Sequence, residues 1–465
     1  MFAFANLVKK LSHSAFCVWA LPGLAHAHVS EMGLVLLLPT GFYIQAGVWA
    51  VALTVIALAF IPGKWAERLT SARTLFGAPA ASGLWGISCV SAVFLIVLLW
   101  AGFNGSRDPL VNPLPLMVWT VVWIALLLAQ AVFGDLWRFV NPWSGPVRVL
   151  TGGSPPPFRL PDRAARWVGC SGLLAFACFA LADPAPDDPA RLAMFTSLYW
   201  LAVLLACLLW GTEPVLTRCE FLSMTARRFA AMAPMRPKDG SWRLGLPGWG
   251  LIQTDASTST GIFALLILGI GSFDGLNETF WWLGQIGVNP LEFPGRSALV
   301  GITVAGTLGA CAVLIAAFTL TLWLGLKCAP GVPLSRAFGP MAVSVLPIGV
   351  AYHFAHYLTT LMVSGQYAIA AVSDPLATGA DLLGLGRYYV STSFFNTPSS
   401  VELIFKAQAG AVVAGHVISV LVAHGIATRL YGHGRRAAVS QIPLAIFMVA
   451  YTFLGLWLLA SPKGA

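Results

Sequence analysis

Four histidines carry the chemistry this sequence offers most plainly. They stand in Ala351-Tyr-His-Phe-Ala-His-Tyr357 and Gly415-His-Val-Ile-Ser-Val-Leu-Val-Ala-His424, each inside a long apolar run. Hydrocarbon offers no partner to an ionisable group, so an imidazole placed there is a functional-site candidate by default. His353 and His356 are spaced i, i+3 and leave one face of a helix. His416 is expected at a matching depth on the next run, with His424 about 12 Å further along at 1.5 Å per residue. Three neutral imidazoles with one open position suit a divalent transition metal such as copper, zinc or iron, the open position receiving water or substrate. Tyr352, Tyr357, Gln408 and Asp374 are candidates to orient such ligands or to touch substrate. The competing role for each histidine is a hydrogen bond that ties neighbouring helices together.

A further candidate metal ligand stands near the N-terminus. Lys9 and Lys10, the apolar stretch Leu11 to Leu24 and Ala25-His26-Ala27 have the order of a cleaved secretory signal over residues 1–27. Cleavage would leave His28, or His26 and His28, beside a free amine, which is a chelating pair for copper or a similar metal. Whether His28 or His424 joins the other three histidines is left open by the spacing. His433, beside Arg435 and Arg436, is expected in a solvated loop.

These residues need a bilayer around them. Of 465 residues, 58% are hydrophobic and only 10% are charged, against roughly a quarter charged in a soluble domain. That excludes an ordinary soluble enzyme and a disordered chain. Apolar runs near 34–61, 82–103, 114–133, 167–182, 192–211, 258–273, 297–326, 338–366, 403–428 and 439–460 predict about ten spanning helices. The expected architecture is therefore all-α, a polytopic transmembrane helical bundle forming a single domain over residues 28–465.

The net charge of +9 belongs to short loops rather than to a nucleic-acid surface. With the mature N-terminus outside, nineteen Lys and Arg fall in inner loops and six in outer ones, so both termini are expected outside. The segment 213–257 reads as a membrane-surface loop, and Gly134 to Trp143 as an interfacial stretch with Trp at headgroup depth. Asp183, Asp187, Asp188, Asp274, Glu278 and Glu292 are expected in outer loops, Asp274 and Glu278 being possible further metal or substrate groups. Asp135, Glu213 and Glu220 are expected to pair with Arg138 or Arg218. No CxxC pair occurs among the eight cysteines, and Cys89, Cys170, Cys178, Cys207 and Cys311 read as small buried hydrophobes. The chain has no GxxxxGK[ST] loop, GxSxG elbow or HExxH signature.

Several of these stretches also carry a resemblance. Ala27-His28, Arg107-Asp-Pro-Leu-Val-Asn-Pro-Leu-Pro115, Gly134-Asp-Leu-Trp137, Asn141-Pro-Trp143, Tyr352-His-Phe-Ala-His356, Ser373-Asp-Pro375, Gly415-His416 and Ala423-His424 resemble the polytopic bacterial membrane proteins typified by fenitrothion hydrolase. The resemblance spans nearly the whole mature chain. It implies hydrolysis of a phosphorothioate triester with release of a nitrophenol, in the bacterial inner membrane. A histidine-bound metal could supply the activated water for that reaction. The expected partners are an apolar small-molecule substrate and the bilayer, with a homo- or hetero-oligomer possible and no nucleic acid. Two other readings use the same histidines: a copper-handling or copper-transporting protein, and a haem-binding electron carrier.

Overall fold

The structure, a computed structural model, describes residues 35, 38–60, 71–77, 85–289, 295–386, 389–432 and 434–463. The signal segment, His28, Glu292 and His433 lie outside the described residues. In chain order the principal helices are α1 (Thr40–Phe60), α2 (Trp85–Asn104), α3 (Pro113–Phe133), α4 (Ser144–Thr151), α5 (Asp162–Ala182), α6 (Pro189–Trp210), α7 (Thr212–Arg218) and α8 (Phe221–Ala230). They continue with α9 (Thr258–Asn277), α10 (Arg296–Cys328), α11 (Leu334–Ala342), α12 (Leu346–Ser373), α13 (Pro398–Tyr431) and α14 (Ile442–Ala460). Among the described residues, ten helical segments are long and apolar enough to cross a membrane, with α11 and α12 together forming one of them.

Burial sorts these spans. In the apolar window of α9, 72% of residues are buried inside the protein, against 17% in α1 and in α10, so α9 is central and those two lie at the perimeter. The perimeter is apolar: on α2, Val90, Val93, Val97 and Trp100 all face outward. Such a surface is stable in hydrocarbon and not in water. The largest core joins α9, α10, α11, α12, α13 and α14 through residues such as Leu265, Phe318, Val345 and Ile426.

Two segments expected at the membrane surface fold back into the bundle instead. Tyr199, which donates its hydroxyl proton to Glu220, lies eleven residues before Trp210 at the end of α6. At 1.5 Å per residue that is roughly 16 Å along the span, so the α7–α8 turn is deep in the protein. Backbone at such depth must be satisfied internally. Glu220 does this by accepting from the Leu222 amide at 2.5 Å and the Ser223 amide at 2.7 Å. It therefore caps α8 from inside the protein.

The stretch 134–143 forms the second inward turn. Trp137 and Trp143 are buried, and their indole N–H groups donate to Ser223 Oγ at 2.7 Å and the Trp200 carbonyl at 3.0 Å. Trp200 in turn donates to the Pro142 carbonyl at 3.1 Å, and Asn141 Oδ1 accepts from the Ser144 amide at 3.0 Å. These tryptophans are packed inside the protein and help to fill one of its cores.

A small sheet is the other departure. Arg73–Gly77 (β1), Met235–Lys238 (β2) and Ser241–Leu244 (β3) form an antiparallel sheet in the order β1-β3-β2. Asp239 (φ 50°) and Gly240 (φ 72°) make its tight turn, the left-handed pair that an Asp-Gly hairpin favours. Pro237 is tolerated because β2 is an edge strand.

Candidate functional site

The central helix α9 brings a carboxylate to the histidines. Asp274, in its last turn, is 7% exposed and lies inside the helix, which runs to Asn277 rather than ending at residue 273. It is therefore not a loop carboxylate. Ile267, Ile270 and Asp274 follow the i, i+3, i+7 rule for one helical face, and all three line the same narrow cavity. That periodicity was the signal available in the sequence.

Opposite stands α12. His356 Nε2 is 3.0 Å from Asp274 Oδ2, and the Tyr357 hydroxyl donates to the same oxygen at 2.5 Å. A carboxylate accepts, so Nε2 is the donor of this hydrogen bond. Tyr352 stacks on the His356 ring, with 11° between the planes. Tyr352 reaches this position only because residue 275 is glycine: a Cβ there would lie 1.8 Å from the Tyr352 hydroxyl oxygen.

His353 lines the same cavity but is tied elsewhere. Its Nε2 donates to the Trp123 carbonyl at 2.9 Å, and its ring meets the edges of Trp123, Phe229 and Tyr357. Trp123 belongs to residues 116–126 of α3, which are wound as a π-helix, a form concentrated at functional sites. Phe229 comes from α8, so the inward hairpin supplies one wall. The cavity holds about 40 Å³ of space open to water. That is room for a few water molecules at most, at about 10–15 Å³ each on this measure.

The structure does not gather the other expected ligands here. His416 is buried 1% exposed on α13, donates through Nδ1 to the Val412 carbonyl of its own helix at 2.8 Å, and leaves Nε2 without a partner. Its nearest ring is Tyr451 of α14. His424 lies in a separate apolar recess between α1, α13 and α14, where Gln441 approaches its Nδ1 at 3.3 Å. Gln408 donates to the Ala355 carbonyl at 2.8 Å and ties α13 to α12. Asp374 accepts from the amides of Thr378 and Gly379 and organises the loop after α12. Among the described residues, no three His, Cys, Asp or Glu side chains are grouped so that they could hold a metal ion. His353 Nε2 is engaged by the Trp123 carbonyl of α3, and His416 Nδ1 by a carbonyl of its own helix.

What the arrangement can do is acid–base chemistry. An imidazole oriented by a buried carboxylate beside a water-sized cavity is the arrangement that a general base requires. Glu278 and Lys463, 3.8 Å apart, stand beyond the end of α9. Comparison of the chain with family models, with curated proteins and with solved structures gives no match.

Proposed function

We propose that this chain is a multi-pass enzyme of the bacterial cell membrane, both mature termini outside, that hydrolyses apolar organophosphorus triesters with Asp274–His356 as the base that activates water. The observation that carries the proposal is the buried pair itself, His356 Nε2 on Asp274 Oδ2 at 3.0 Å beside water-sized space. The substrate class rests on the resemblance to the fenitrothion hydrolase type, and an apolar triester would reach the site from the bilayer.

In the reaction, His356 Nδ1 takes one proton from water as the water oxygen bonds to phosphorus. The phosphorus–aryloxide bond breaks, and the aryloxide leaves with the electron pair and recovers the proton from the imidazolium. Asp274 fixes the ring and its tautomer and stabilises the imidazolium, as the orienting carboxylate does in hydrolase triads. The cavity admits water and not the ester, so the ester must part α9 from α12 on entry. Purified protein should release nitrophenol from fenitrothion, and His356→Gln should lower that rate by about 10²–10⁴-fold, the usual worth of a general base. Unchanged turnover in a His356→Gln protein that accumulates normally would refute this reading.

The size of the cavity favours one second reading, a proton path through the bundle using His356, Asp274 and Tyr357. Proteoliposomes decide between the two: a proton leak abolished by His356→Gln, with no ester turnover in the parent protein, would favour the path.

A further inference from the structure

A second cavity opens at the Arg-rich end of the bundle, far larger than the first. It holds about 300 Å³ and is walled by Arg166 of α5, Arg218 of α7, Arg227 and Arg228 of α8, and the N-terminal turn of α9. Its one acidic wall residue among those described, Asp255, forms an ion pair with Arg429 outside the cavity. The Nε of Arg228 is buried and has no hydrogen-bond partner. Arg166 donates to Ser257, the N-cap of α9, at 2.9 Å, which brings its guanidinium to the end of a 20-residue helix whose free amides carry partial positive charge.

The guanidiniums of Arg166, Arg227 and Arg228 share one wall and repel each other, and a buried donor without an acceptor is costly. Both costs fall if an anion with several acceptor oxygens enters, and Arg forks match phosphate oxygens two at a time. We infer that this cavity is a binding site for a phosphate-class anion, either the phosphodiester headgroup of an anionic membrane lipid or free phosphate. A basic recess between helices at the Arg-rich face is where such headgroups bind. Residues 224, 227 and 228 of α8 face this cavity while Thr225 and Phe229 face the histidine cavity, so the anion would also brace the hairpin that walls the first site.

The test is thermal unfolding of the full-length protein in detergent, followed by tryptophan fluorescence. One arm compares sodium phosphate with sodium chloride at equal ionic strength. The other compares short-chain phosphatidylglycerol with short-chain phosphatidylcholine. A site for free anions raises the melting temperature with phosphate; a lipid-headgroup site raises it with phosphatidylglycerol alone. In the double variant Arg166→Gln/Arg228→Gln, the midpoint concentration of whichever probe acts should rise at least tenfold. Without any probe, Arg228→Gln should melt no lower than the parent, because it relieves the repulsion from Arg166 and Arg227; a guanidinium with a purely structural role would be missed. If neither phosphate nor phosphatidylglycerol moves the parent protein beyond its control, the inference fails, and this arm needs no variant to fold. It fails equally if the double variant keeps the full response.

Discussion

His356 and His416 were alike in the sequence, two imidazoles in apolar runs, and the structure separates them by what each ring nitrogen touches. His416→Ala should leave ester turnover within a few-fold of the parent, in contrast to His356→Gln, and nitrophenol release measured per mole of protein checks both. Equal loss in both would restore a shared site. Gly275 gives a second test. A Cβ there would meet the Tyr352 hydroxyl, so Gly275→Ala should cost about 1–3 kcal/mol of stability through overpacking. Tyr352→Phe removes the clashing oxygen, so the double variant should recover most of that loss in a thermal or denaturant melt, a non-additivity expected of groups in contact. The i, i+3 pair at 353 and 356 was legible from residue type and spacing alone. The partner of His356 was not, because Asp274 closes an apolar run and reads as the first loop residue unless the face through Ile267 and Ile270 is followed one turn further.

At the scale of elements, the spans were legible because each is a run of about twenty apolar residues, whereas the inward turns were not, because their polar residues look like loop residues until their partners are known. Glu220 shows why: in sequence it neighbours Arg218, and in space it accepts from two amides and Tyr199. Glu220→Ala leaves those donors unmet and should destabilise the α7–α8 hairpin by about 1–3 kcal/mol, seen as faster amide exchange in residues 221–230. The break between α11 and α12 is similar. A single run over 338–366 became two helices around a 3-10 turn at Val343–Val345, and Ser419 donates to the Ser344 carbonyl at 2.5 Å. Elsewhere a pair of aspartates holds the loop after α12. Backbone amides of Thr378 and Gly379 hold the Asp374 carboxyl below its ordinary range, and those of Gly386 and Leu385 do the same for Asp381. A depressed folded-state value means that the ionised form stabilises the loop above the ordinary carboxylate range, about 3.9, and that this support is lost as pH falls through the depressed value. Protease cleavage within 374–386 should therefore stay slow from neutral pH down to about 4 and rise below it. Acceleration between pH 7 and 5 would contradict the assignment.

Over the whole molecule, the excess of Lys and Arg in alternate loops predicts that Pro237 and Asp381 lie on opposite sides of the membrane. Labelling of cysteines introduced at the two positions, with a reagent that does not cross the bilayer, should modify position 381 from outside and position 237 only after permeabilisation. Both labelled from one side would overturn the ten-span topology. The α7–α8 hairpin carries a further consequence, for the order in which the protein is made. Neither helix is long enough to cross hydrocarbon, and Phe229 packs on His353, which follows it by more than a hundred residues of chain. The hairpin therefore has no reason to enter the bilayer when it leaves the ribosome, and must wait in water until α9 and α12 have been inserted to receive it. Assembly should then have a late step, the burial of this turn against α9 and α12, and a nascent chain halted before α12 should leave residues 211–230 open to protease on the side where they were made.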